Sequence, residues 1–314
     1  MQFNYNEFLL EASFCYRNPT EENEILNLAN FIINGQRKTD PFGKKMDEQE
    51  RNKIGSSLLW RLKLKENKDI LLEYILDDVV KFDEKGKNIN TNNKYLILSK
   101  LCIEINSRFS LSALSSLIFK GLVKEIDGKP ILENQKYDII ADILRKSKTP
   151  TALVNFGTLI VSWHIKKDIS GADIPEGQQY EVAANLYRQC VLQSMVELVA
   201  LSHFAGLVYD GKIKKDIKGD DISEGQQYEV AADLFRRSKS KINSLYYLGC
   251  MIKEGLVKQD VNGRDIPEGQ ECEVAADLFR EIKDEYAFFE LATLIYKKKI
   301  STDLDRRLID SDEQ

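Results

Sequence analysis

The chain has 314 residues, 43% hydrophobic and 30% charged, with 45 basic and 50 acidic side chains and a formal net charge of -5. That balance gives no field that would draw nucleic acid to the molecule as a whole. The longest apolar runs, such as Leu111 to Phe119, fall short of the roughly 18 to 20 residues that a membrane-spanning helix needs, so no membrane span is expected.

The first residues, Met1 to Leu10, lack the basic region and cleavable apolar segment of a secretory signal, so residence in the cytoplasm is expected. Further along, one unit is repeated. Glycines recur at Gly43, Gly86, Gly128, Gly171, Gly219 and Gly263, in steps of 43, 42, 43, 48 and 44 residues. Aspartates precede them at Asp40, Asp83, Asp127, Asp168, Asp216 and Asp260, and Asp303 opens a seventh, truncated copy. A period of this size is the signature of stacked repeats. The step of 48 implies a short insertion between the fourth and fifth units. The repeats run approximately over 24–66, 67–106, 107–149, 150–194, 195–240 and 241–284, with a C-terminal capping helix and an acidic tail over 285–314.

The sixth unit shows the internal order best. Leu245, Leu248, Ile252 and Leu256 recur at helical spacing and predict a first helix, A; Val274, Ala275, Leu278, Phe279 and Ile282 predict a second, B. Gly249 on A, with Ala275 and Ala276 on B, lets the two axes approach closely as an antiparallel pair. The loop between them reads "DVNGRDI" here, with "DISGADI", "EIDGKPI" and "DIKGDDI" in other copies. Asn-Gly or Asp-Gly between β-branched residues predicts a small β-hairpin with a type I′ turn. Pro175 and Pro267, each followed by Glu-Gly, then separate the hairpin from helix B, with Ser223 in that place in the fifth unit. A calcium loop does not fit, because glycine stands at position 4 counted from the aspartate, and Gln179 or Gln227 stands at position 12. One helical pair cannot bury both apolar faces. The expected fold is therefore an all-α superhelical solenoid of about six repeats, with small β-hairpins along one edge, forming a single domain.

The five cysteines, Cys15, Cys102, Cys190, Cys250 and Cys272, are widely spaced with no CxxC pair. They fit neither a disulfide framework nor a zinc site and read as buried small residues. Only two histidines occur, His164 and His203, and neither has a nucleophile or carboxylate at catalytic spacing. No phosphate loop, dinucleotide fingerprint, zinc-protease or hydrolase motif is present. No cofactor, metal or catalytic residue is expected. The densest basic run, Lys212 to Lys218, is interleaved with aspartate in an interhelix loop and reads as a solvated edge.

The stretch from Leu248 to Asp260, followed by Cys272 to Glu281, resembles the Sel-one-like repeat family. Leu248, Gly249, Gly255, Val257 and Asp260 fill the first half of the family pattern, and Ala275, Leu278 and Phe279 fill the second. Gly211, Asp216, Ala231, Leu234 and Phe235 repeat it; the fourth unit keeps Gly157 but has Trp163 where a glycine belongs. The interhelix loop is longer than the family's linker by roughly the ten residues a hairpin occupies. The resemblance implies a tetratricopeptide-like stack that acts as an adaptor, scaffold or regulator without catalysis. It also implies A helices lining the inner, concave surface. Such proteins are common in intracellular bacteria, so an effector-class protein that binds and modulates a partner enzyme, delivered into a host cytoplasm, is the specific version.

On that basis the partner-binding positions are those of helix A opposite its apolar stripe. They are Phe109 and Phe119 in the third unit, Val154, Thr158 and Val161 in the fourth, and Tyr209 in the fifth. Tyr246 and Lys253 follow in the sixth, and Tyr286, Phe289 and Tyr296 in the last. Ser112, Ser116, Thr151, Val199, Ser202, Gly206, Cys250 and Thr293 complete the stripe. Charge is scarce there, and aromatic anchors among small polar residues are what interfaces favour. The expected partner is another protein, bound by a monomer. Alternatively the stripe packs within the chain, or a groove site without local signature makes the chain an enzyme. Ser311 to Gln314 reads either as part of a polar cap or as a docking signal.

Overall fold

A computed structural model describes residues 19–39, 45–191, 197–238 and 242–308. Asp40, Gly43, Cys15, the insertion around 192–196 and the tail residues Ser311 to Gln314 lie outside them. Among the described residues are thirteen helices and a single pair of two-residue strands, in two compact units, Met1–Thr149 and Pro150–Gln314. The first holds α1 (Pro19–Ile33), α2 (Glu48–Leu59), α3 (Lys65–Leu76), α4 (Thr91–Ile105), α5 (Arg108–Phe119), β1 (Glu125–Ile126), β2 (Lys129–Pro130) and α6 (Lys136–Ser147). The second holds α7 (Pro150–Val161), α8 (Gln179–Val191), α9 (Glu197–Tyr209), α10 (Gln227–Arg237), α11 (Ile242–Lys253), α12 (Glu271–Ile282) and α13 (Glu285–Tyr296). Odd-numbered helices are A and even-numbered are B. Within each unit helices pack mainly on their sequence neighbours, so each unit is an all-α stack of helical hairpins, as the periodicity predicts.

Helix A ends at the same place in every copy. Gly35, Asp78, Gly121, Trp163, Gly211, Gly255 and Lys298 all have positive φ just beyond the A helices, at intervals of 43, 43, 42, 48, 44 and 43 residues. This left-handed position closes the helix and turns the chain into the loop. Trp163 occupies it at φ 60°, where a glycine belongs.

Close approach within a hairpin depends on the small residue of helix A. A methyl group on Gly249 would stand 2.8 Å from the ring of Phe279, and one on Gly157 would stand 2.7 Å from the ring of Tyr187. Both rings are fully buried. Ala205 holds the equivalent place in the intervening repeat, where Phe235 is the buried ring. On helix B the pairs Ala183 and Ala184, Ala231 and Ala232, and Ala275 and Ala276 are inaccessible, as axes this close require.

The interhelix loops differ from the predicted turn. Among the described residues only the third copy has the type I′ geometry, with Asp127 at φ 50° and Gly128 at φ 74° between β1 and β2. Elsewhere a three-residue loop is closed by one bridge, as between Lys167 and Asp173, Lys215 and Asp221, or Gln259 and Asp265. Gly171, Gly219 and Gly263 have positive φ, and Asn262 does not. The physical reason is the aspartate. One Asp168 oxygen accepts from the amides of Ser170 (2.8 Å) and Ala172 (2.9 Å), and Asp83, Asp216, Asp260 and Asp303 do the same in their copies. The carboxylate holds a tight turn in which only the glycine turns left-handed. Asp127 sits inside its shorter turn and is not the equivalent of these residues. Ahead of helix B, Gly177, Gly225 and Gly269 take positive φ in turns closed from Gln178 to Pro175, Gln226 to Ser223 and Gln270 to Pro267.

In the second unit an arginine on each helix B joins its repeat to the next. Arg236 donates from Nε to the carbonyl of Asp260 (2.9 Å) and from a terminal nitrogen to that of Gln259 (3.1 Å). Arg188 makes the same pair with Asp216 (3.0 Å) and Lys215 (3.1 Å). Arg280 does so with Asp303 (3.0 Å) and Thr302 (3.1 Å). The planar fork of guanidinium suits two adjacent carbonyls.

Candidate functional site

The A helices of the second unit, α7, α9, α11 and α13, carry the residues of interest. Their order follows from the repeat: α9 neighbours α11, and side-chain bonds join α11 to α13. Ser244 donates to Ser202 across the first pair (3.0 Å), and Lys253 pairs with Glu290 across the second (2.6 Å). Each A helix therefore offers one flank to the preceding repeat and the opposite flank to the following one.

This arrangement redistributes the predicted stripe. Val154 is 3% exposed and Cys250 8%, so both are packed and closed to a partner. Thr158 donates to the Val154 carbonyl (3.0 Å) and hydrogen-bonds the Tyr187 hydroxyl; Val161 is half-buried. Phe119 meets Tyr137 edge-on at 6.3 Å, and Tyr209 meets Tyr228 at 5.9 Å. Trp163 meets Tyr180 in the same way at 6.5 Å. In three consecutive repeats an aromatic ring thus pins the end of helix A to the start of helix B. Tyr246 packs against Phe279 of its own repeat and Tyr286 of the next (6.0 and 6.5 Å), beside the Lys253–Glu290 pair. Tyr246 and Lys253 form the seam with the following repeat, because the next A helix covers that flank, whereas Phe119 and Trp163 keep about half of their surface exposed. Phe109 in the first unit is exposed, as are Tyr286, Phe289 and Tyr296 on α13.

What remains open on α9 and α11 lies one position round the helix from Tyr246. Tyr247 is partly exposed, stacked on Phe235 (5.4 Å, interplanar 13°) and set against Tyr209 (5.6 Å). His203, the matching residue of α9, is exposed and lies flat on Tyr187 (5.6 Å, 19°). Asp210 and Glu254 stand exposed just past α9 and α11, at the negative ends of those helix dipoles, where carboxylates are unfavourable. Neither carboxylate has an ion pair or hydrogen bond among the described residues. Helical geometry read one residue further round would have found Tyr247 and His203; the carboxylates carry no motif.

The electrostatics follow from these neighbours. Burial pushes the Tyr209 hydroxyl up to about 12, with Glu254 and Asp210 adding. Burial raises Tyr247 too, helped by Asp210. Burial works against the Lys253 charge, and the hydrogen bond and field of Glu290 outweigh it, so its pKa is raised. The surface thus offers neutral hydroxyls that donate and accept, stacked ring faces, and two carboxylates without an ion-pair partner among the described residues. It can hold a cationic or hydrogen-bonding side chain against aromatic surface.

Catalytic geometry is a different matter. A cleft of about 580 Å³ lies beside α12, lined by Asp260, Asp277, Arg280, Glu281, Asp305 and Arg306 among others. Asp277 is paired with both Arg280 (2.9 Å) and Arg306 (3.3 Å). Asp277 thus shares its charge between two guanidinium groups. No group of three His, Cys, Asp or Glu side chains among the described residues could hold a metal ion. No helix there is long and apolar enough to cross a membrane. Compared with protein-family models and with curated proteins, the chain matches none.

Proposed function

We propose that this chain is a protein-binding adaptor or regulator of the Sel-one-like kind, holding a partner protein on the A-helix surface of its second unit. The observation that carries this reading is the set of partly exposed rings on α9 and α11, with the unpaired, exposed carboxylates of Asp210 and Glu254 beside them. Rings already fixed by stacking lose little entropy on binding, and aromatic anchors dominate protein interfaces. The carboxylates favour a partner segment bearing Lys or Arg. The compartment that fits is the cytoplasm, either of the producing cell or, for an effector-class protein, of a host.

The test compares the chain with Asp210→Lys/Glu254→Lys in affinity capture followed by mass spectrometry. Both residues are exposed and stand against their helix dipoles, so the reversal should leave the fold intact and, if anything, stabilise it slightly. A stoichiometric protein retained by the native chain and lost on charge reversal supports the proposal; retention indifferent to the reversal removes it.

A further inference from the structure

α13 is the last A helix in the described residues, and its open face, with Tyr286 at the edge next to α11 and Phe289 and Tyr296 beyond it, is the most aromatic exposed surface of the second unit. Tyr286 is 65% exposed, Phe289 71% and Tyr296 85%. In α11 the residues matching Phe289, Thr293 and Tyr296 are Tyr246, Cys250 and Lys253, and α13 covers them. Ala292, which matches Gly249, and Phe288, which matches Leu245, are exposed as well; Gly249 faces Phe279 of helix B in its own repeat. An exposed helix face ordinarily carries polar residues. Here that edge is apolar.

We infer that a second copy of this chain docks on this edge, with the two α13 helices packed antiparallel about a two-fold axis. Three features select that occupant. The stripe Tyr286, Phe289, Thr293, Tyr296 has spacings of 3, 4 and 3 residues and reads the same in reverse. An antiparallel partner therefore sets each Tyr286 beside a Tyr296 and each Phe289 over the small Thr293, a ring into a gap. The ends are also complementary in charge: Glu285 opens the helix and Lys297, Lys298 and Lys299 follow it. None of these four has an ion pair among the described residues, and antiparallel docking brings the acid of each copy to the lysines of the other. Opposed helix dipoles favour the same orientation.

A two-fold interface closes on itself and stops at two. The three rings expose roughly 400 Å² per copy, given about 150–250 Å² for a whole aromatic side chain. That is about half of a standard interface side, so the dimer is concentration-dependent.

Sedimentation equilibrium of the full chain from about 1 to about 200 µM brackets an interface of this size. The expected result is a rise in mean mass toward twice the monomer. Phe289→Arg, at an exposed position, should raise the dissociation constant at least about tenfold with the unfolding curve unchanged. Glu285→Lys alone and Lys297→Glu/Lys299→Glu alone should each weaken the dimer, and all three in one chain should restore it. A chain monomeric throughout the range overturns the proposal and leaves the edge to another protein. A dimer indifferent to Phe289→Arg overturns it as well. Failure of the combined charge exchange to restore the dimer overturns the antiparallel register. None of these outcomes depends on Asp210 or Glu254, so the adaptor reading stands or falls separately.

Discussion

Replacing Gly249 by alanine isolates the steric role of the small residue on helix A. A helix-interior glycine costs about 1 kcal/mol relative to alanine, so propensity alone favours the substitution by that amount. The new methyl, however, would lie 2.8 Å from Cε1 and 3.1 Å from Cζ of Phe279. That ring is fully buried and has no room to withdraw, and overpacking of this kind costs about 1–3 kcal/mol. Gly206 supplies the control: it lies inside α9 and has nothing within 4 Å of the added methyl. Gly206→Ala should stabilise by about 1 kcal/mol, whereas Gly249→Ala should be neutral or destabilise by up to about 2 kcal/mol. Urea unfolding followed by circular dichroism reads the gap between them. Shortening the opposing side chain with Phe279→Leu should make the alanine tolerable, giving a coupling of about 1 kcal/mol or more in the double-mutant cycle. Equal stabilisation by both glycine substitutions would refute the close-approach argument.

Arg236→Lys retains the charge but cannot span both carbonyls, so the hairpin from Asp260 to Arg264 should lose amide protection in hydrogen exchange. Stability should fall by about 1.5–3 kcal/mol, the range for hydrogen bonds from a charged donor. Burial, with the Asp69 charge adding, pushes the Cys102 thiol up to about 12 from its ordinary 9.0. A folded-state pKa raised in this way contributes stability that is full below pH 9 and is lost as pH rises toward 12. Urea midpoints should therefore decline above pH 9, and Cys102→Ala should flatten the decline. Burial also holds Cys190 and Cys250 up at about 11, so thiol reagents at neutral pH should label none of the three before unfolding.

The helical hairpins were legible because each repeat reuses the same short-range devices: a left-handed residue after helix A, an aspartate before the turn, a small residue facing a ring. All of these act within one repeat, so one repeat's sequence contains them. The turn type was not legible. Asn262-Gly263 has the composition of a type I′ turn, but the Asp260 carboxylate bonds the amides of Asn262 and Arg264 and selects a different closure. The stripe was half legible. A single helix gives the direction away from its apolar side, but the cover on Cys250 and Lys253 comes from α13, with Glu290 lying 37 residues beyond Lys253. Tyr209 and Phe119 were legible as rings at helical spacing; their partners, Tyr228 and Tyr137, stand across the hairpin on helix B.

The separation of seam from open surface bears on how binding could occur without unfolding. Repeats of the second unit are joined through the arginine forks at the hairpin edge, through the A-helix seam of Tyr246, Lys253 and their partners on α13, and through the packing of each helix B on the next helix A, where one face of Tyr247 stacks on Phe235. Asp210, Glu254 and the exposed part of Tyr247 take no part in these joints. A partner seated there leaves every inter-repeat bond intact, so its binding energy is not spent on opening the stack. The carboxylates stand against the dipoles of α9 and α11, a cost the free chain bears at all times and a cationic partner removes. Removing that cost makes binding stabilise the helices that present the surface, so capture of a partner should raise protection in α9 and α11 specifically.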